Sequence, residues 1–185
     1  MSENQLPKYH DLNLSNIALK EKALALGFNT ASTLPVFHVK AVSDIAEAKG
    51  QMVSIESQSV DLLRDAMKQL PYCLVNPLSA KNFDREPGLI RDAQGKAAFE
   101  IPISALISAA SGERSKLIWR TLAFLKACVK LKAEFVFTSR AKTEYDLKSP
   151  REIIAIASLL GVTYEQAQYA LSATPEEILR RQGLI

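Results

Sequence analysis

Short apolar runs and longer amphipathic stretches alternate along this chain. Residues 135–137 (FVF) typify the runs: aromatic and β-branched, too short for a helix, and suited to a buried parallel strand. Residues 111–131 typify the stretches and form the longest predicted helix. The side chains predicted to face inward on this helix are Leu117, Ile118, Leu122, Leu125 and Val129. The pattern therefore predicts a protein that mixes strands with helices.

The same pattern locates the remaining elements. Strands are predicted at residues 9–14, 34–39, 52–55, 72–75, 97–101 and 135–137. Helices are predicted at residues 15–26, 43–49, 60–70 and 111–131, with three short helices after residue 149. Residues 82–95, which contain Pro87-Gly88, are predicted to be an exposed connection.

Alternating strand and helix signals predict a parallel sheet with crossover helices. About seven strand candidates favour closure into a barrel, and residues 1–185 are predicted to form one domain. A full eight-unit barrel has roughly 250 residues, so some units must be abbreviated. No glycine-rich phosphate loop occurs among the seven glycines, which argues against an open nucleotide-binding sheet.

A polar, basic loop follows the FVF run. Residues 138–148 lie just past the predicted carboxyl end of that strand, where α/β folds meet their ligands. Ser149-Pro150-Arg151-Glu152 then begins a helix, with an N-cap serine, a proline at the first helical position and a glutamate three residues after the cap. We expect a rigid scaffold that presents positive charge at one edge.

The net charge of +3 is unevenly distributed along the chain. Residues 111–151 contain ten Lys and Arg but only four acidic residues. Such clustering is the pattern expected for a partner with a phosphate backbone. A solvated helix surface with excess lysine explains the charge equally well, so charge alone suggests nucleic acid without establishing it.

Hydrolytic chemistry is poorly represented. The chain has only two histidines, His10 and His38, and no Ser-His-Asp or Cys-His spacing stands out. One alternative remains open: a metal-dependent phosphoesterase that uses Asp11, His38 and Glu100 with Zn²⁺ or Mn²⁺. Another is an adaptor that binds only proteins.

Composition points to a reducing compartment. Cys73 and Cys128 lie in apolar segments, which favours two buried thiols over a disulfide. No apolar run approaches the 18 to 20 residues, roughly, that span a bilayer, and no secretory signal is apparent at the amino terminus. We expect a cytoplasmic protein without a membrane partner.

Several segments, in a consistent order, resemble the archaeal ribonuclease P protein component 3 family, related to the thirty-kilodalton subunit of the eukaryotic enzyme. The matching segments are residues 9–14 (YHDLNL), 75–79 (VNPLS), 98–107 (AFEIPISALI), the helix start at 114–116, and residues 135–181. Two departures are Asn76, where a histidine is expected, and residues 33–67, which match poorly.

The resemblance implies a compact TIM-like (β/α) barrel, related to polymerase-and-histidinol-phosphatase (PHP) metal hydrolases but without their metal ligands. It implies a subunit of the ribonucleoprotein that removes the 5′ leader of precursor tRNA. The protein alone is expected to be non-catalytic, to hold no cofactor, and to leave Mg²⁺ to the RNA subunit. Implied partners are ribonuclease P RNA, precursor tRNA, a small ferredoxin-like protein subunit and other protein subunits. The implied RNA-facing residues are Arg114, Lys116, Arg120, Ser139, Arg140, Lys142, Ser149 and Arg151.

Overall fold

The computed structural model describes residues 7–183, which contain seven strands and eight α-helices. The strands are β1 (His10–Asp11), β2 (Thr30–Ala31), β3 (Val36–His38), β4 (Ser54–Glu56), β5 (Cys73–Val75), β6 (Ala97–Pro102) and β7 (Phe135–Thr138). The helices are α1 (Lys20–Ala25), α2 (Val60–Gln69), α3 (Pro87–Ala93), α4 (Ile103–Ser108), α5 (Ser111–Leu131), α6 (Pro150–Leu159), α7 (Tyr164–Leu171) and α8 (Ala173–Arg181). Short 3₁₀ helices occupy Ile17–Leu19, Val42–Ala48, Pro77–Ser79, Phe83–Arg85 and Glu144–Asp146.

All strand pairs are parallel, which confirms the predicted α/β class. β1 pairs with β2, and β3 to β7 form a five-stranded sheet in chain order. The strand pairing of residues 7–183 does not close into one barrel, because β2 is not paired with β3 and β7 is not paired with β1. Beyond the strand ends, however, the Arg140 N–H donates to the Asn13 carbonyl at 3.0 Å, and the Ser15 N–H donates to the Ala141 carbonyl at 3.1 Å.

Two apolar clusters lie on opposite faces of the five-stranded sheet. Successive strand side chains point to opposite faces of the sheet. Phe99 and Phe137 face the helices, whereas Ala98 and Val136 face the other side, which we call the inner face. The inner cluster comprises Leu12, Met52, Leu74, Ala98 and Val136, together with Ile178 and Leu179. The last two belong to α8, which therefore packs onto the inner side of the strands.

Helix α5 buries a stripe that matches the predicted one in part: Leu125 is buried, and Leu117 and Ile118 pack against the core partly buried. Its buried residues are Thr121, Phe124, Leu125 and Cys128. Val129 is exposed, and so is Trp119, with 70% of its surface accessible. The ring of Phe124 sets the rotation of the helix, because it packs edge to face against Phe83 at 5.4 Å and Phe99 at 4.9 Å.

The prediction that residues 82–95 form an exposed connection is wrong. This stretch contains the 3₁₀ helix Phe83–Arg85 and helix α3, and it buries Phe83, Leu89 and Ile90. Pro87 begins α3 instead of breaking the chain, since the first turn of a helix needs no proline N–H. Strand β2 and helix α4 were also not predicted, because each is short and lacks clear periodicity.

The prediction of two buried thiols is confirmed. Cys73 and Cys128 are buried free thiols, and burial raises the pKa of Cys73 to about 12. Gly161 ends α6 with a φ of +77°, a conformation that favours glycine. Across the described residues, every helix is too short or too polar to cross a bilayer. The expectation of no targeting signal falls partly on residues 1–6, outside the described residues.

We expect Phe124→Ala to lower the free energy of unfolding by about 3 to 5 kcal/mol, because it removes a ring buried between two others. Trp119→Ala on the same helix is the matched control and should change it by less than about 0.5 kcal/mol. Chemical denaturation of both variants measures the difference. Equal effects would contradict the observed rotation of α5.

Candidate nucleic-acid interface

Glu100 places a fully buried carboxylate on the inner face of β6. Its oxygens accept hydrogen bonds from Thr138 Oγ1 at 2.7 Å, from Asn13 Nδ2 at 3.0 Å and from the Ser54 hydroxyl. These donors come from three different segments of the chain: Asn13 follows β1, Ser54 begins β4 and Thr138 ends β7. Neutral donors alone do not compensate a buried negative charge, so the site needs a cation.

Arg140 supplies that cation from the loop after β7. Its Nε and Nη2 atoms donate to the two oxygens of Glu100, both at 2.7 Å, in a bidentate pair. Nη1 lies 3.1 Å from Oε1 of Glu56, and Nη2 also donates to Ser54 Oγ at 2.8 Å. Only 11% of the Arg140 side chain is accessible to solvent. This guanidinium is therefore occupied inside the protein.

The pairing governs the ionisation of Glu100. Burial on its own raises the pKa of a carboxyl, but the hydrogen bonds and charge of Arg140 outweigh it and leave the pKa of Glu100 below its usual value. Glu100 is thus ionised at neutral pH, and Arg140 is its permanent counter-charge. To reach it, the backbone of Arg140 adopts a φ of +48°, in the left-handed region.

Asp11 and Ser139 form a second buried polar contact beside this pair. The Ser139 N–H donates to both oxygens of Asp11, at 3.2 and 3.3 Å, and the Asn13 N–H donates to Oδ1 at 3.2 Å. No cation pairs with Asp11 among the described residues, so burial raises its pKa to about 6 despite these hydrogen bonds. Asp11 and Ser139 hold the end of β1 against the end of β7.

The loop beyond Arg140 leaves two of the predicted cations at the surface. Lys142 and Arg151 are exposed. Lys148 instead donates to the carbonyls of Tyr145 and Leu147, at 2.8 and 3.0 Å. Asp146 accepts the N–H groups of Lys142 and Thr143, which fixes the turn.

Ser149 has the predicted capping geometry. Its hydroxyl accepts the N–H of Glu152 at 3.3 Å, while the Glu152 carboxylate accepts the Ser149 N–H at 2.7 Å. These contacts lower the pKa of Glu152. The anion-binding capacity of this helix start is thus used by the glutamate of its own first turn.

The cations of α5 lie near the same edge of the sheet. A crossover helix runs antiparallel to its strands, so the first turns of α5 lie at the carboxyl ends of β6 and β7. Arg114 and Lys116 are exposed there. Arg120 is partly buried: its Nε donates to Asp84 Oδ1 at 2.6 Å, and its guanidinium lies 4.5 Å from the centre of the Phe83 ring.

The eight predicted residues thus fall into two groups. Arg114, Lys116, Lys142 and Arg151 are exposed cations that a polyanion can reach. Ser139, Arg140 and Ser149 form contacts within the protein. Arg120 is bound to Asp84 but keeps part of its side chain accessible. Arg140 was expected to present its charge at the carboxyl edge. Its side chain is mostly buried instead, because it is the counter-ion of Glu100. The signal was available in residues 97–101 (AAFEI), where an acid within an apolar strand requires a cation.

The residues of the phosphoesterase alternative are not brought together as metal ligands. Glu100 is bound by Arg140, Asp11 by main-chain amides, and His38 Nδ1 lies 3.2 Å from Glu56 with most of its side chain exposed. Within residues 7–183, no group of three or more His, Cys, Asp and Glu side chains has an arrangement suited to a metal ion. The geometry gives that alternative no support.

Comparison with known proteins identifies related sequences. The model of the family described as RNase P subunit p30 matches residues 38–184. Ribonuclease P protein component 3 of Methanococcoides burtonii is 28% identical over 130 residues, which are 70% of this chain and 49% of the relative. The protein of the same name from Methanothermobacter thermautotrophicus is 31% identical over 104 residues, 54% and 42% respectively. The chain therefore spans about half the length of the curated relatives it matches.

A solved structure has the same fold. A chain in the cryo-EM structure of an archaeal Ribonuclease P with mature tRNA superposes with a TM-score of 0.68. The superposition covers 97% of this chain and 84% of that chain, at 16% sequence identity. At this identity the likeness establishes the fold that the two chains share.

We expect Arg140→Ala to lower the free energy of unfolding by about 3 to 5 kcal/mol, because it leaves the buried Glu100 charge without a partner. Lys142→Ala, two residues along the same loop and exposed, is the control and should cost less than about 0.5 kcal/mol. Urea denaturation at pH 7 compares them. If the two variants are equally stable, the ion pair is not a structural requirement.

Asp11 should make stability depend on pH in the direction opposite to most carboxylates. Its folded-state pKa of about 6 lies above the ordinary value of 3.8, so the folded protein holds this proton more tightly than the unfolded chain. Its contribution to stability is therefore present at low pH, falls as pH rises from about 4 to about 6, and is level above that. Asp11→Asn removes the titration and keeps an oxygen that accepts the Ser139 N–H.

The measurement is the difference in unfolding free energy between Asp11→Asn and the unmodified protein at pH 4.5, 5.5 and 7. The difference should shift in favour of the variant by about 2 kcal/mol as pH rises. Burial lowers the pKa of His10, which changes stability with pH in the opposite direction, and the difference between the two proteins cancels this contribution. A pH-independent difference would contradict the raised pKa of Asp11.

Proposed function

The chain belongs to the RNase P subunit p30 family, and on that premise we propose that it is a protein subunit of ribonuclease P. In this role it takes part in removing the 5′ leader of precursor tRNA as one component of a ribonucleoprotein. The observation that carries the proposal is the family match over residues 38–184. The relatives are named as ribonuclease P components, and the structural likeness is to a chain of a ribonuclease P complex.

The protein contributes charge and shape in this proposal. It holds no cofactor, and the Mg²⁺ used in cleavage belongs to the RNA subunit. The exposed cations lower the repulsion between phosphates where RNA segments approach each other, and each neutralised phosphate releases condensed counterions. Glu100 supports this division of labour, because it is bound to the protein's own arginine.

The proposed RNA-facing surface is the carboxyl edge of the sheet. Its exposed members are Arg114, Lys116, Lys142 and Arg151. Ser139, Arg140 and Ser149 support it from within by fixing the loop and the start of α6. Partners are ribonuclease P RNA, precursor tRNA, a small ferredoxin-like protein subunit and further protein subunits, and the setting is the cytoplasm.

We further propose that the two sheets are parts of one incomplete TIM-like barrel, formed by residues 1–185 as a single domain and related to PHP-type hydrolases. The main-chain hydrogen bonds from Arg140 to Asn13 and from Ser15 to Ala141 support closure on one side. The shared inner cluster, with residues from β1, β5, β6 and β7 or next to them, supports a common interior.

Reconstitution tests the function. We expect this chain, added to ribonuclease P RNA and the other protein subunits from the same source, to raise cleavage of precursor tRNA several-fold at limiting Mg²⁺. Lys142→Ala/Arg151→Ala should weaken this effect, because both cations are exposed at the proposed surface.

Lys49→Ala/Arg91→Ala is the matched control, since both residues are exposed on other segments and make no ion pair within residues 7–183. Cleavage that is indifferent to the presence of the chain would refute the proposal. Stimulation that persists without salt-sensitive RNA binding would instead favour the adaptor.

A further inference from the structure

A polar groove of about 370 Å³ separates the segment after β5 from the first half of α5. Its lining residues are Lys81, Asn82, Asp84, Arg85, Lys116 and Arg120. All six are polar or charged, and four are cations. Lys116 and Arg120 were predicted from the sequence, whereas Lys81 and Arg85 join them only through the fold.

Arg120 is rigidly oriented at this groove. Asp84 binds its Nε at 2.6 Å, and the Phe83 ring lies beneath the guanidinium at 4.5 Å. Its Nη2 atom is buried and has no hydrogen-bond partner among the described residues. Asp84 and Phe83 thus hold the guanidinium in one orientation, while 26% of the Arg120 side chain stays accessible at the groove.

The remaining cations are not neutralised by the protein. Lys81, Arg85 and Lys116 are exposed and make no ion pair with any residue in the described range 7–183. Asp84, the carboxylate in the lining, is already engaged with Arg120. The groove therefore has excess positive charge, and more of its lining surface is polar than apolar.

We propose that this groove binds two neighbouring backbone phosphates of the ribonuclease P RNA. Lys81, Arg85 and Lys116 contact the phosphates together with the accessible part of the Arg120 side chain, and Asp84 and Phe83 are positioning residues for Arg120. The inference rests on the proposed function and specifies where on the carboxyl edge part of the RNA is held. Phosphodiesters suit the groove because Lys81, Arg85 and Lys116 are charged donors exposed to solvent.

The first test measures binding of the chain, with its protein partner, to ribonuclease P RNA as a function of salt. Lys81→Ala/Arg85→Ala should reduce the slope of log K against log salt by about 1.5, at roughly 0.7 to 0.9 per phosphate. Both residues are exposed, so the fold should persist, and circular dichroism checks this. Lys49→Ala/Arg91→Ala again serves as the control and should leave the slope unchanged.

The second test separates positioning from bulk charge. Asp84→Asn removes a negative charge from the groove, so charge alone would make RNA binding tighter. If Asp84 positions Arg120, the variant should instead bind about fivefold more weakly, because the guanidinium loses its charged hydrogen bond. Tighter binding by Asp84→Asn would overturn the positioning role.

The outcomes distinguish this inference from the proposed function. An unchanged slope for Lys81→Ala/Arg85→Ala, with normal stimulation of cleavage by the unmodified chain, overturns the groove alone. If Lys81→Ala/Arg85→Ala abolishes binding to the protein partner but leaves the salt slope unchanged, the groove binds an acidic protein and the proposal is overturned. Absence of both stimulation and salt-sensitive RNA binding by the unmodified chain overturns the groove and the proposed function together.

Discussion

The ion pair between Glu100 and Arg140 is the constraint on which the carboxyl edge of this protein depends. A carboxylate with no exposed surface would cost several kcal/mol in that position unless a cation met it with good geometry. Arg140 meets it with two bonds of 2.7 Å, and the backbone turns into a left-handed conformation to do so. The pair anchors the start of the loop, and Asp146 fixes the turn beyond it.

The same pair decides which charges remain available to a partner. Arg140 neutralises the buried charge of Glu100. The positive charge that a partner can reach at the carboxyl edge therefore comes from other cations. Lys142 and Arg151 lie beyond the pair in the chain, and Arg114 and Lys116 lie at the start of α5. A paired internal carboxylate surrounded by exposed cations agrees with the proposed contact with RNA.

Packing explains why these charges stay in place. The two aromatic contacts of Phe124 fix α5 against the sheet and against the 3₁₀ helix Phe83–Arg85. That contact brings Asp84 to Arg120, so the apolar core and the polar groove are built by adjacent residues of one segment. On the inner side, Ile178 and Leu179 of α8 complete the apolar cluster below the polar layer that contains Glu100.

The sequence by itself determined the class of fold, because strand and helix periodicities are local properties. It also determined the cap at Ser149 and the basic character of residues 111–151. Only the tertiary structure decided which cations are free, since the neutralisation of Arg140 depends on Glu100, forty residues away in the chain. It also decided that residues 82–95 contribute to the core and that Lys81 and Arg85 lie beside α5. Burial and charge pairing depend on residues that are distant in sequence and adjacent in space, so local patterns do not reveal them.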